Sequence, residues 1–143
     1  LHFNIYLNSN NNQQYKKSGK HIPRKGRPVK VRSTKAQAVI VRDGNTLLIT
    51  LTGDIDHHSA KRLRGEIDGA FYLHRPKRAV MDLSRVEFMD SAGLGLILGR
   101  LSRAQELGSK LTLLSPSPRV MKILDLAGAG RLIEIRQNNG KGA

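Results

Sequence analysis

The chain has 143 residues, a length that fits one domain with a sizeable core, and it has no cysteine, which excludes disulfide staples, thiolate metal sites and a cysteine nucleophile. Its formal net charge of +14 is uneven: residues 1–35 hold nine Lys or Arg and no acid, which leaves 16 bases against 11 acids in the remainder. No apolar run approaches the roughly 20 residues that cross a bilayer, and the opening LHFNIYLNSNNNQQYKK lacks the order of a secretory signal, so a soluble cytoplasmic protein is the expectation.

Residues 1–35 read as a basic, disordered leader, because Asn8 to Lys35 offers too little apolar surface to offset the entropy of ordering. The alternation of Leu1, Phe3, Ile5 and Leu7 leaves a short docking strand as the alternative. A domain over 36–137 and a short tail over 138–143 follow. Ala38–Val41 and Thr46–Gly53 flank the turn signal Asp43-Gly44-Asn45 and predict a hairpin. A helix over His57–Leu73 is predicted next, with Ala60, Leu63, Ile67, Ala70 and Phe71 inward and Asp56 as its cap.

Arg78–Ser84 reads as a buried strand. The helix over Ser91–Leu107 is expected to bury Leu94, Ile97, Leu98, Leu101 and Ala104 and to end at Gly108. Lys110–Ser115 predicts a strand, Pro118–Gly128 a helix with Val120, Ile123, Leu124 and Ala127 inward, and Arg131–Ile135 a last strand. The order β-β-α-β-α-β-α-β is that of an α/β fold in which a mixed β-sheet packs against helices. Function in open α/β sheets collects at the C-terminal ends of strands, where LTGDIDHH and FMDSAGLG lie.

The second of these stretches spends three glycines inside a helix, each costing about 1 kcal/mol against alanine. Gly93 and Gly95 read as exposed backbone that permits close approach of another surface, and Gly99 as a tight contact between helix and sheet. Ser91 lies where a helix begins; it reads either as a plain cap or as a hydroxyl beside unpaired N–H groups that would support a phosphate. A hydrolase elbow fails because Met89 stands at the first glycine of Gly-x-Ser-x-Gly, and a P-loop fails because Gly99-Arg100-Leu101 lacks the lysine and hydroxyl. His57 and His58 are adjacent rather than four apart, so no metal site is expected. Asp54 and Asp56 stand equally as turn and cap or as a binding surface. The basic leader could hold nucleic acid only non-specifically.

Leu51–Arg64, LTGDIDHHSAKRLR, together with Met81–Leu101, MDLSRVEFMDSAGLGLILGRL, resembles the STAS domain of bacterial anti-sigma factor antagonists, and the resemblance runs from about Val39 to Ile135. It implies the STAS fold and a regulator without enzymatic activity or cofactor, which binds a serine-kinase anti-sigma factor and releases a sigma factor. It also implies that the kinase phosphorylates Ser91 and that a PP2C-type phosphatase reverses this. The partner surface it implies comprises Asp54, Asp56, Asp90, Ser91, Ala92, Gly93, Leu94 and Gly95. Ala92 stands where the family often has a second hydroxyl, which leaves Ser91 unambiguous. Two features depart from the pattern: QNNGKGA cannot form the helix that usually follows the last strand, and the leader has no counterpart. The alternatives are a nucleotide-binding STAS module and a nucleic-acid-associated protein acting through its leader.

Overall fold

In the central strands every second residue is apolar and fully buried: Leu47, Ile49 and Leu51, then Ala79, Met81 and Leu83, then Leu111 and Leu113. A period of two places all of them on one face of a sheet. The computed structural model of the protein describes residues 3–7 and 35–138. Its elements are β1 (Phe3–Leu7), β2 (Gln37–Asp43), β3 (Thr46–Ile55), α1 (His57–His74), β4 (Arg78–Met89), α2 (Ser91–Glu106), β5 (Lys110–Leu114), α3 (Pro118–Leu126), a 3-10 turn (Ala129–Arg131) and β6 (Glu134–Arg136).

The six strands are hydrogen-bonded in sequence order. β2 pairs antiparallel with both β1 and β3, and β3 to β6 run parallel, so each of the last three steps needs a crossover helix. The mixed α/β sheet expected from the sequence is thus observed. The docking-strand alternative holds for the first residues: Phe3 to Leu7 pair with Asp43 to Val39, which corrects the reading of a wholly disordered leader. The stretch 8–34 lies outside the described residues.

Side chains from α1, α2 and α3 join the inward strand residues in one core cluster, so the three helices share a face of the sheet. On α1 the buried set is Ser59, Leu63, Ile67, Ala70 and Phe71, one step from expectation, with Ala60 half-buried. On α2 it is Gly93, Leu96, Ile97, Arg100 and Ala104. Leu94, Leu98 and Leu101, expected inside, are only partly buried. Gly93 sets this rotation by fitting against the end of β4, as described below. Arg100 comes inward with that face and donates to the Asp68 carboxylate of α1, tying the two helices by an ion pair whose arginine is 6% exposed.

Gly108 ends α2 as expected, at φ +73°. Its N–H donates to the Gln105 carbonyl at 3.2 Å and that of Ser109 to Ala104 at 2.7 Å, the paired closure of a Schellman turn. The last strand is shorter than expected, because a left-handed Gly128 at φ 71° and the 3-10 turn occupy the chain up to Arg131. Ala129 and Ile133 anchor that turn in the core, while Ala127, expected inside, is exposed.

Candidate functional site

The ends of β3 and β4 carry the residues singled out by the sequence. β3 continues to Ile55 and β4 to Met89, so Asp54 belongs to a strand rather than a loop and pairs with Phe88 in register. Two irregularities, between Thr50 and Thr52 and between Gly53 and Asp54, let the strands stay paired this far. Each strand then turns into a helix through an aspartate cap. The Asp90 N–H donates to the Ile55 carbonyl at 3.3 Å, which fixes the two turns side by side.

Asp56 and Ser59 close a capping box: the Ser59 N–H donates to Asp56 Oδ1 at 2.9 Å, and the Asp56 N–H donates to Ser59 Oγ at 2.9 Å. The backbone bond from Ser59, aided by its hydroxyl, holds the Asp56 carboxyl below its ordinary value of 3.8. A carboxylate whose folded pKa lies below its unfolded one adds stability above the unfolded value and loses it as pH falls through the folded value. The urea-unfolding midpoint of the native chain should therefore fall faster than that of Asp56→Asn below pH about 4, since an amide caps without titrating. Equal slopes for the two chains would remove this contribution.

Asp90 is the cap of α2, and Ser91 is the first helical residue with its side chain exposed. Asp90 Oδ1 accepts from the N–H of Ala92 at 2.8 Å and of Gly93 at 3.3 Å. This corrects the idea that those N–H groups wait unpaired for a phosphate, because the carboxylate already takes them. A phosphate on Ser91 would meet the Asp90 charge instead and project into solvent.

The glycine roles are also exchanged. A Cβ on Gly93 would sit 2.6 Å from Met89 Cβ and 3.3 Å from Ile55 Cγ2, so this buried residue is the one that lets helix and sheet close. Gly99, assigned that task from the sequence, has nothing within 4 Å of such a Cβ, and neither has the exposed Gly95. Gly93→Ala should destabilise the fold by about 1–3 kcal/mol through overpacking. Gly99→Ala should stabilise it by about 1 kcal/mol through helix propensity. Thermal unfolding of both variants checks the contrast, and a destabilised Gly99→Ala would contradict it.

Two concavities flank the turns. Ser91 shares an apolar groove of about 400 Å³ with Leu94 of α2 and with Ile123 and Leu126 of α3. Asp54 and Asp56 lie instead in a second groove of about 700 Å³ with Phe88 and Arg62, whose Nη2 donates to the Ala36 carbonyl at 2.5 Å. The two acids therefore adjoin the Ser91 turn without lining its groove. His57 and His58 are exposed on the first turn of α1. Sequence reasoning missed Phe88, Ile123 and Leu126. Phe88 is 43% exposed and Leu126 82%, and an exposed aromatic or leucine is indistinguishable from a core one until the fold is known.

The STAS-domain family model matches residues 37–141. The chain belongs to the STAS-domain family. The anti-sigma F factor antagonist of Paenibacillus polymyxa is 33% identical over 92 residues, which cover 64% of this chain and 79% of that protein. Among solved structures, the anti-sigma factor antagonist SpoIIAA in its unphosphorylated form aligns with a TM-score of 0.61 at 30% identity, over 68% of this chain and 86% of that one. The Bacillus cell fate determinant SpoIIAA in the phosphorylated form aligns at 0.54 and 31% identity, over 65% and 84%. The STAS fold expected from the two quoted motifs is the one observed.

Proposed function

We propose that this STAS domain is an anti-sigma factor antagonist, a regulator rather than an enzyme, which binds a serine-kinase anti-sigma factor in the cytoplasm and is switched off by phosphorylation of Ser91. The observation that carries the reading is the exposed Ser91 hydroxyl at the head of α2, beside a capping Asp90 whose carboxylate is already engaged. The likeness to a relative solved in both phosphorylated and unphosphorylated forms supports it.

The docking surface is formed by Asp90, Ser91, Ala92, Leu94 and Gly95, flanked by Asp54 and Asp56; Gly93 acts beneath it by seating the helix. In the unmodified state this surface is small and apolar around one neutral hydroxyl, with acids at its border that suit basic groups of the kinase. The kinase supplies ATP, the Ser91 oxygen takes the γ-phosphoryl group, and ADP leaves. Phosphorylation adds about −1.5 to −2 charges next to Asp90. These charges must be desolvated if the partner is to close again. A PP2C-type phosphatase restores the hydroxyl by hydrolysis.

The test is incubation of the chain with an anti-sigma factor serine kinase and ATP, followed by mass spectrometry of the tryptic peptide 86–100. That peptide, VEFMDSAGLGLILGR, contains Ser91 as its single hydroxyl residue, so one added phosphate identifies the acceptor. A peptide that stays unmodified while the kinase consumes ATP on the chain would overturn the assignment.

A further inference from the structure

At the end of the sheet away from Ser91 three turns meet: the hairpin between β2 and β3, the passage from α1 into β4, and that from α2 into β5. The N–H groups of Lys77 and Arg78 donate to the Asn45 carbonyl at 2.8 and 3.2 Å, and that of Lys110 donates to the Lys77 carbonyl at 3.0 Å, which ties the turns together. This end carries Arg42, Arg75, Lys77, Arg78, Arg103 and Lys110 against Asp43 and Glu106. Glu106 takes Arg103 at 2.8 Å, and Glu134 of β6 takes Lys110 at 3.0 Å. Arg42, Arg75, Lys77 and Arg78 make no ion pair among the described residues; Arg42 and Arg75 donate to the neutral carbonyls of Gly44 and Tyr72. Residues 1–34 and 139–143 contain no Asp or Glu, so no acidic side chain there can neutralise the four. Apolar groups crown the same end. Tyr72 and Leu73, in the last turn of α1, are 46% and 65% exposed. The guanidinium carbons of Arg103 and Arg75 stand 5.4 and 5.7 Å from the centre of the Tyr72 ring.

We propose that this end of the molecule is a docking surface for an anionic membrane, with Arg42, Arg75, Lys77 and Arg78 on the headgroups and Leu73 entering the boundary of the acyl region. A polyanion such as nucleic acid would satisfy the four cations and leave Leu73 in water. A bilayer of anionic lipid meets both needs, and a tyrosine suits the boundary between them. The contact is peripheral, since no helix among the described residues is long and apolar enough to cross a membrane. Four cations, one nearby acid and a single leucine make it weak and salt-sensitive. Arg78 and Met89, at the two ends of β4, lie about 36 Å apart at 3.3 Å per residue, so a docked chain keeps Ser91 turned away from the bilayer. The docking does not rest on the kinase reading.

Vesicles of about one part phosphatidylserine to two parts phosphatidylcholine should carry the full chain into the pellet at about 0.1 M salt, whereas pure phosphatidylcholine should not. Because residues 1–35 add nine further bases, charge alone does not identify the surface. Lys77→Glu combined with Arg78→Glu should weaken partition at least tenfold, against less than about threefold for Lys16→Glu combined with Lys17→Glu. Leu73→Ser alters no charge and should weaken partition about threefold. The chain contains no cysteine, so Leu73→Cys introduces a single thiol for an environment-sensitive dye, whose emission should shift to the blue on the anionic vesicles. The same dye on Lys61→Cys, about 18 Å back along α1, should not shift. Circular dichroism verifies the fold of each variant. Partition indifferent to the Lys77 and Arg78 reversal or to Leu73→Ser, an equal loss from the Lys16 and Lys17 reversal, or equal shifts from the two dyes would each overturn the proposal. A dye at position 73 that responds to single-stranded DNA and not to vesicles would overturn it in favour of nucleic acid.

Discussion

Ser91→Asp is expected to fold like the native chain and to bind the anti-sigma kinase at least tenfold more weakly, with full phosphorylation weakening it by two to three orders of magnitude. A loss of about 3–4 kcal/mol suffices for the latter, and a like charge placed against Asp90 and then desolvated is of that order. The fold is spared because Ser91 is exposed and belongs to none of the buried sets that hold α2 on the sheet. Ser91→Ala, lacking an acceptor oxygen, should bind like the native chain and stay bound in the presence of ATP. Calorimetric titration of the three chains with the kinase measures the series, and unfolding curves verify the fold. Undiminished binding by a folded aspartate variant would refute exclusion by charge.

The largest effect on stability is expected at Asp68. Burial lowers the Arg100 guanidinium to about 10, with the nearby Arg103 and Arg64 adding to the shift, yet it stays charged at neutral pH. Its Nε has no hydrogen-bond partner among the described residues, so the Asp68 carboxylate carries most of its compensation. Asp68→Ala leaves that cation uncompensated between two helices and should cost about 3 kcal/mol. Arg100→Met combined with Asp68→Ala should recover most of the loss, because the methionine removes the buried charge while keeping an unbranched apolar chain. Urea unfolding of the single and double variants gives the coupling; a double variant as unstable as Asp68→Ala alone would show that the pair is not the cause.

Which parts of this were legible in advance follows from how local the determining contacts are. The elements from β2 onward and their order were, because alternation in Leu47–Leu51 and the helical spacing of Leu63, Ile67 and Phe71 depend on the element's own period. The cap Asp56 and the closing Gly108 were legible for the same reason, whereas the cap of α2 is Asp90 and not Ser91, which is already the first helical residue. The burial of Arg100 was not: its position three beyond Ile97 and four beyond Leu96 puts it on the inward face, but a charge there makes sense only with Asp68, 32 residues away on another helix. The glycines failed similarly. Gly93 and Gly99 look alike in sequence, and only the approach of Met89 and Ile55 distinguishes them. In RLIEI the alternation resembled a strand, while the turn anchored by Ala129 and Ile133 keeps its first three residues out of the strand, which begins at Glu134.

Because the Asp90 side chain already grips the amides of Ala92 and Gly93, the helix has little with which to shelter a phosphoryl group on its neighbour. The mark proposed at Ser91 would be written on the outside of the molecule and left in the open. On the function proposed above, its lifetime would be decided by how often a hydrolase visits rather than by how the protein holds it, so such an antagonist would keep no memory of its own, and the ratio of kinase to phosphatase at each moment would set the active fraction.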